Sequence, residues 1–131
     1  MQPKEKYAIA DNSPEARDIL MKALFRIGER WNLNDARLAQ LLRKDRSQIT
    51  RWKKPSGMPI KLDLATKEAL QNLIAIYRSL GAIFQSTGDQ VKWLGTKHPD
   101  FDDAPLSLMG SSMDGLFTVR KYLDYVRGRG A

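Results

Sequence analysis

Residues 33–54, LNDARLAQLLRKDRSQITRWKK, decide the fold of this 131-residue chain, because they contain two short helical patterns separated by a polar break. Asn34 is placed to cap the first helix. The apolar face of that helix consists of Leu38, Ala39, Leu41 and Leu42. After the break at residues 43–45, Ile49 and Trp52 share the inward face of the second helix. This spacing predicts a helix-turn-helix, whose second helix can enter the DNA major groove.

The polar positions of the second helix are candidates for contacts with DNA. They are Arg46, Ser47, Gln48, Thr50, Arg51, Lys53 and Lys54. The Gln48 side chain can make two hydrogen bonds to the edge of an adenine, and the Arg51 side chain can make two to the edge of a guanine. We therefore predict that these two residues read bases. The two hydroxyl residues suit either bases or phosphates. We predict that Arg46, Lys53 and Lys54 contact phosphates, because such contacts orient the helix without specifying the DNA sequence.

The distribution of charge supports a polyanionic partner for this segment. The chain has 22 basic and 15 acidic residues, which gives a formal net charge of +7. Residues 1–62 contain 14 basic and 7 acidic side chains, whereas residues 63–131 contain 8 of each. The whole excess therefore belongs to the half that contains the helix-turn-helix, which favours DNA binding over a merely solvated basic face.

Composition excludes several classes of protein. With 42% hydrophobic and 28% charged residues, and no apolar run of the ~20 residues that span a bilayer, the chain is predicted to be globular and cytoplasmic, without a membrane segment. There is no cysteine, so no disulfide or thiolate site is expected. The single histidine, His98, has no second histidine to form a metal pair, and no serine has a histidine near it in sequence. We therefore predict neither an enzyme nor a cofactor.

Helical patterns continue on both sides of the central segment. Ser13-Pro14-Glu15 predicts the start of a first helix that runs to about Arg30, and the Pro55–Pro59 segment predicts a loop. A long helix is expected from about Leu64 to Phe84, with an apolar stripe long enough for both the core and a symmetric partner. The stripe is Leu70, Leu73, Ile74, Tyr77, Leu80 and Phe84.

The last third of the chain predicts three shorter helical segments and a tail. Ser86, Pro105 and Ser112 mark the three starts. The inward residues of the final helix are predicted to be Leu116, Phe117, Val119, Leu123 and Val126. Residues 127–131 are expected to form a flexible basic tail. The predicted fold is all-α: a helix-turn-helix domain at 13–62, then a connecting helix and a small helical domain at 63–131.

The last third resembles the toxin-binding domain of Xre/MbcA/ParS-type antitoxins. The pattern consists of Gly88-Asp89, Trp93-Leu94, Pro99, Pro105-Leu106-Ser107-Leu108 and Gly115-Leu116 before a closing helix that ends in Gly128. A helix-turn-helix in front of this domain is the order of that family, so the resemblance covers nearly the whole chain from about Ser13. Two positions depart from the family pattern. Arg43-Lys44 stands where the family usually has a glycine and an apolar residue, and His98 stands where it usually has asparagine.

The resemblance implies a function with two partners. In that family the C-terminal domain blocks a RES-domain toxin that consumes NAD+, and the N-terminal domain commonly binds the operator of its own operon. Because one helix-turn-helix reads only a half-site, and because the 64–84 helix has a long apolar stripe, we predict a homodimer, which would form a larger hetero-oligomer with the toxin. We expect the toxin-binding residues to be Trp93, Phe101, Leu116, Arg127, Gly128, Arg129 and Gly130. In one mechanism the tail threads toward the toxin pocket; in the other, the helical surface around Trp93 blocks it and the tail is idle. The alternative function is a plain dimeric helix-turn-helix regulator.

Overall fold

The computed structural model describes residues 13–54 and 60–130, and in these ranges it contains seven α-helices. They are α1 Pro14–Arg30, α2 Asp35–Leu42, α3 Arg46–Trp52, α4 Leu64–Ile83, α5 Thr87–Gly95, α6 Pro105–Ser111 and α7 Met113–Gly130. Within these ranges the all-α prediction is confirmed, and the extended backbone pairs only at an isolated bridge between His98 and Asp103. The predicted loop at 55–59 and the end of the tail at Ala131 lie outside the described residues.

Side-chain caps fix the starts of the helices where the sequence predicted them. The Asn34 side chain accepts a hydrogen bond from the Arg37 N–H at 2.9 Å. The Ser13 and Ser86 hydroxyls cap α1 and α5 in the same way, at 3.1 Å and 3.0 Å. Each cap satisfies a backbone donor that has no partner inside its helix, so the helix boundaries are encoded locally.

Helix α4 lies at the centre of the fold, since it packs against α1 and α2 on one side and against α5 and α7 on the other. The side chains of Leu24, Ile49 and Leu73 are fully buried and belong to one hydrophobic cluster that extends through both halves of the chain. A polar bond also joins the halves: the Trp31 indole N–H donates to Gln90 Oε1 at 3.0 Å in a buried position.

The predicted apolar stripe of α4 is confirmed, but its availability to a second copy is not. Leu70, Leu73 and Leu80 have no exposed surface, because the other helices of the same chain already cover them. Among the described residues of α4, the large apolar side chains that remain exposed are Leu64 and Ile83, at its two ends. Ile74, Tyr77 and Phe84 of the same stripe are only partly buried, so the expectation that this stripe also serves a symmetric partner stays a prediction.

Two predictions about the final helix are also corrected. Phe117 was placed inward, but it is 44% exposed, because the buried stripe of α7 runs through Leu116, Val119 and Leu123 and the next residue points away from it. The predicted flexible tail is helical as far as Gly130. Arg127 reaches back to α4, where its guanidinium donates to the Ser79 hydroxyl at 3.4 Å.

Candidate DNA-binding and partner-binding surfaces

The second helix of the predicted helix-turn-helix, α3, is held by its apolar face. Ile49 is completely buried and Trp52 packs partly buried against the same core, as the sequence predicted. The opposite side carries exposed polar residues, namely Arg46, Ser47, Arg51 and Lys54, with Gln48 partly buried beside them. This side offers three guanidinium or ammonium groups and two uncharged hydrogen-bonding groups to a ligand.

Two of the predicted DNA contacts have partners inside the chain instead. The Lys53 ammonium lies 2.6 Å from Asp35 Oδ1 and 5.5 Å from the centre of the Phe25 ring. The Thr50 hydroxyl lies 3.0 Å from Asp35 Oδ2 and 3.1 Å from the Arg46 carbonyl oxygen. The phosphate contact of Lys53 stays a prediction, but in the free chain its ammonium faces α1 and α2, although half of the side chain is exposed. The signal that was missed is Asp35 at the start of α2, an acid that a neighbouring cation can reach.

The Asp35 carboxylate holds α3 against α2, and its chemistry makes the contact sensitive to pH. Hydrogen bonding to Lys53 is the main cause that lowers the pKa of Asp35 below 3.8, against a smaller opposing effect of burial. A carboxylate with a lowered pKa stabilises the folded state above its unfolded pKa, and that contribution is lost as the pH falls through the folded pKa.

We expect Asp35→Asn to lower the free energy of unfolding by about 1.5–3 kcal/mol at neutral pH, because it removes a charged hydrogen-bond partner. The difference between wild type and variant should be constant between about pH 5 and 7, and should shrink below about pH 4 as Asp35 becomes protonated. Urea unfolding at a series of pH values measures it. A difference that stayed constant down to pH 2 would exclude the ion pair as the cause.

The cations of the turn between α2 and α3 are also engaged. The Lys44 ammonium lies 3.0 Å from Asp63 Oδ2, on the residue that caps α4 through the Thr66 N–H at 2.8 Å. Hydrogen bonds from Thr66 and then from Lys44 hold the pKa of Asp63 well below its ordinary value. Arg43 contacts backbone carbonyls. Among the described residues, Arg46, Arg51 and Lys54 are exposed and make no ion pair within the chain.

The residues predicted for a protein partner fall into two environments. Trp93 and Phe101 are partly buried around His98, whose ring centre lies 5.8 Å from that of Trp93 and 4.9 Å from that of Phe101. The Tyr122 ring closes this cluster at 5.0 Å from His98. His98, which lies between α5 and α6, is thus a packing residue of this ring cluster. Leu116 has no exposed surface, so its assignment to a binding surface is wrong: it lies in the core.

An exposed face on α7 was missed at the sequence level. Phe117, Lys121, Tyr125 and Arg129 occur every fourth residue and therefore share one side of the helix. Phe117 is 44% and Tyr125 61% exposed. The Lys121 ammonium lies 4.9 Å from the Phe117 ring centre, and the Arg129 guanidinium 5.5 Å from that of Tyr125. We call these four residues the outer face of α7. The alternating aromatic and basic residues were the available signal.

Family models match both halves of the chain. Residues 12–73 match the antitoxin Xre-like helix-turn-helix domain. Residues 79–129 match the antitoxin Xre/MbcA/ParS C-terminal toxin-binding domain. The chain belongs to the Xre/MbcA/ParS antitoxin family. Among curated proteins, none matches the sequence.

Each family domain of this antitoxin carries one of the surfaces described above. The helix-turn-helix match contains α1 to α3 and the first half of α4, and so includes the exposed polar side of α3. The toxin-binding match contains α5, α6 and almost all of α7, and so includes both the ring cluster and the outer face of α7. In residues 13–54 and 60–130, no helix is long and apolar enough to cross a membrane, and no group of three acidic or histidine side chains could hold a metal ion.

Proposed function

We propose that this antitoxin binds and blocks a RES-domain toxin that consumes NAD+, and that it represses its own operon through α3. The observation that carries the proposal is the presence of a DNA-binding and a toxin-binding domain in one chain, each with an exposed surface of suitable chemistry. The antitoxin itself is proposed to have no catalytic activity and no cofactor, and to act in the cytoplasm. The alternative, a regulator whose C-terminal half only dimerises, does not account for the match of residues 79–129 to a toxin-binding domain.

The test of toxin identity starts from the reading frame beside this gene, which we expect to encode a RES-domain protein. Purified toxin is mixed with increasing amounts of the full-length antitoxin, and NAD+ loss is followed by absorbance or chromatography. We expect NAD+ consumption to stop once the antitoxin is in excess, and the two proteins to elute together. An undiminished rate at saturating antitoxin would contradict the proposal, whereas inhibition without co-elution would point to an indirect effect.

The toxin-binding surface is proposed to be the outer face of α7, extended by the exposed edges of Trp93 and Phe101. Large aromatic and arginine side chains contribute most to protein interfaces, which favours Tyr125 and Arg129 as anchors. Arg127 and the helical end through Gly130 are proposed to lie at the margin of the toxin pocket. Because this end is helical rather than extended as far as Gly130, we propose that it blocks the pocket by its bulk and not by threading into it.

On the DNA side, we propose that Gln48 and Arg51 read bases, while Arg46, Lys54 and the Ser47 hydroxyl contact phosphates. Thr50 stays a possible contact only through its methyl group, since its hydroxyl is engaged. A single helix-turn-helix reads one half-site, so operator binding is proposed to involve a homodimer. The partly buried residues of the α4 stripe, Ile74, Tyr77 and Phe84, are candidates for its interface.

Substitutions on α3 separate base readout from phosphate contacts. Arg51→Ala should cost ~1–3 kcal/mol of discrimination at one base pair. Lys54→Ala should weaken binding to all sequences alike and reduce the slope of log affinity against log salt by about one unit. A change in Lys53→Ala like that of Lys54→Ala would confirm its predicted phosphate contact, whereas no change would show that its ammonium stays with Asp35. Mobility-shift titrations with the DNA upstream of this gene, at several salt concentrations, measure all three. If Arg51→Ala left every base preference intact, α3 would not be the recognition helix.

A further inference from the structure

The residue that ends α2 has an unusual backbone for its type. Arg43 adopts the left-handed conformation, with φ 60° and ψ 40°, a region that side-chain-bearing residues rarely occupy. The surrounding hydrogen bonds form the motif that usually places glycine here: the Lys44 N–H donates to the Ala39 carbonyl at 2.9 Å and the Arg43 N–H to the Gln40 carbonyl at 3.3 Å. The backbone alone would be better served by glycine, so the arginine side chain must supply something else.

The Arg43 side chain crosses from the helix-turn-helix to the toxin-binding domain. Its Nη1 donates to the Gly110 carbonyl at 2.7 Å and to the Gln40 carbonyl at 2.9 Å, and its Nη2 lies 3.5 Å from the Met109 carbonyl oxygen. Gln40 Nε2 lies 3.5 Å from the same Gly110 oxygen. We call Gln40, Arg43, Met109 and Gly110 the α2–α6 clasp.

The clasp joins the C-terminal ends of two helices, α2 and α6. The last carbonyls of α6 have no partner within that helix, and a guanidinium satisfies them with charge-assisted bonds. A Cβ at Gly110 would lie 3.0 Å from Gln40 Nε2, so the Gln40 side chain would have to shift by a few tenths of an ångström to keep its place beside this carbonyl. The clasp therefore joins the turn that immediately precedes α3 to the helix that immediately precedes α7.

We propose that Arg43 is a positioning residue that couples toxin binding to DNA binding. The proposal rests on the function proposed above, because it requires both ligands. Toxin bound to the outer face of α7 displaces the corner between α6 and α7. Because Arg43 is bonded to the end of α6, this displacement also moves the turn that precedes α3. Coupling between two sites is reciprocal, so DNA must change toxin affinity by the same factor as toxin changes DNA affinity.

The test uses Arg43→Gly, which suits the left-handed backbone and removes the guanidinium. Arg78→Ala is the control, because it also removes an arginine side chain but Arg78 is exposed on α4 and belongs neither to the clasp nor to the proposed binding surfaces. The affinity for DNA upstream of this gene is measured for each chain, alone and saturated with the RES-domain toxin. In wild type and Arg78→Ala, toxin should change DNA affinity by about fivefold or more. In Arg43→Gly the ratio should fall close to one.

Several results would overturn the proposal. One is a wild-type ratio of one although both ligands bind; another is a ratio in Arg43→Gly equal to that of wild type. If wild type binds neither DNA nor toxin, the proposed function fails instead, and hydrogen exchange then tests the clasp without a ligand. Cutting the clasp should speed amide exchange both at the end of α6 and in α3, and unchanged exchange in α3 would exclude its positioning role. If Arg43→Gly does not fold, Arg43→Asn replaces it, since asparagine tolerates the same backbone but is too short to reach Gly110.

Discussion

Gly115→Ala is expected to lower the free energy of unfolding by about 2–3 kcal/mol, because there is no room for a Cβ at the corner between α6 and α7. A Cβ on Gly115 would lie 2.1 Å from the Leu108 carbonyl oxygen and 3.0 Å from its carbon. These are backbone atoms and cannot rotate away. The corner is further tied by the Ser112 hydroxyl, which accepts from the Gly115 N–H at 2.8 Å. The chain must therefore move one helix against the other.

A matched control for this substitution lies on α4. Gly81 is exposed within the helix and a Cβ there would have nothing within 4 Å, so Gly81→Ala should raise stability by about 0.5–1 kcal/mol through helix propensity. Thermal and urea unfolding of the two variants measure the contrast. If Gly115→Ala were as stable as wild type, α6 and α7 could not approach as closely as described.

Much of this fold was predictable from sequence because the positions of its helices depend on nearby residues. Helix starts are encoded by residues that act within one turn, as Asn34 and Ser112 do, so each could be read from a few letters. The buried faces also follow from local spacing, because Leu70, Leu73 and Leu80 recur with the helical period. These features need no knowledge of which helix packs against which.

The features that sequence reasoning missed depend on distant residues. The ion pair of Lys53 with Asp35 could not be predicted from sequence, because Asp35 is on another helix and the spacing between the two residues does not show that they meet. The role of Arg43 depends on carbonyls at Met109 and Gly110, far along the chain, so the departure from glycine could be noticed but not explained. For Leu116, the inward position predicted from helical spacing is confirmed, and this burial is what removes it from the binding surface.

The candidate toxin surface likewise depends on contacts between helices that the sequence does not show. An aromatic residue at position 117 next to a buried leucine could face inward or outward, and only the orientation of α7 on α4 decides it. The helical end at residues 127–130 likewise depends on a tertiary contact, since Arg127 bonds to Ser79 on α4. Gly128 and Gly130 favour a flexible chain end. The hydrogen bond between Arg127 and Ser79 favours an ordered helix instead.

The double substitution Phe117→Ala with Tyr125→Ala is expected to weaken toxin binding by about a hundredfold or more. Truncating one aromatic anchor in an interface commonly costs ~2 kcal/mol or more, and each 1.4 kcal/mol is a factor of ten in affinity. The two residues are two helical turns apart with separate cation partners, so their effects should be nearly additive. Both are exposed in the free antitoxin, so its stability should change by less than about 0.5 kcal/mol.

Titration of NAD+ consumption by the toxin gives the affinity of each variant. Ile19→Ala is the control, because Ile19 is 67% exposed on α1 and lies outside the toxin-binding domain, so inhibition should be unchanged. A chain that ends at Val126 tests the helical end: it keeps Phe117 and Tyr125 but loses Arg127 and also Arg129 of the outer face. Arg129→Ala in the full-length chain shows how much of the loss is due to that residue alone. If the helical end only covers the margin of the pocket, this chain should bind with moderately reduced affinity and still inhibit. If it fails to inhibit while the double variant inhibits as well as wild type, the helical end blocks the toxin and the outer face of α7 is not its binding site.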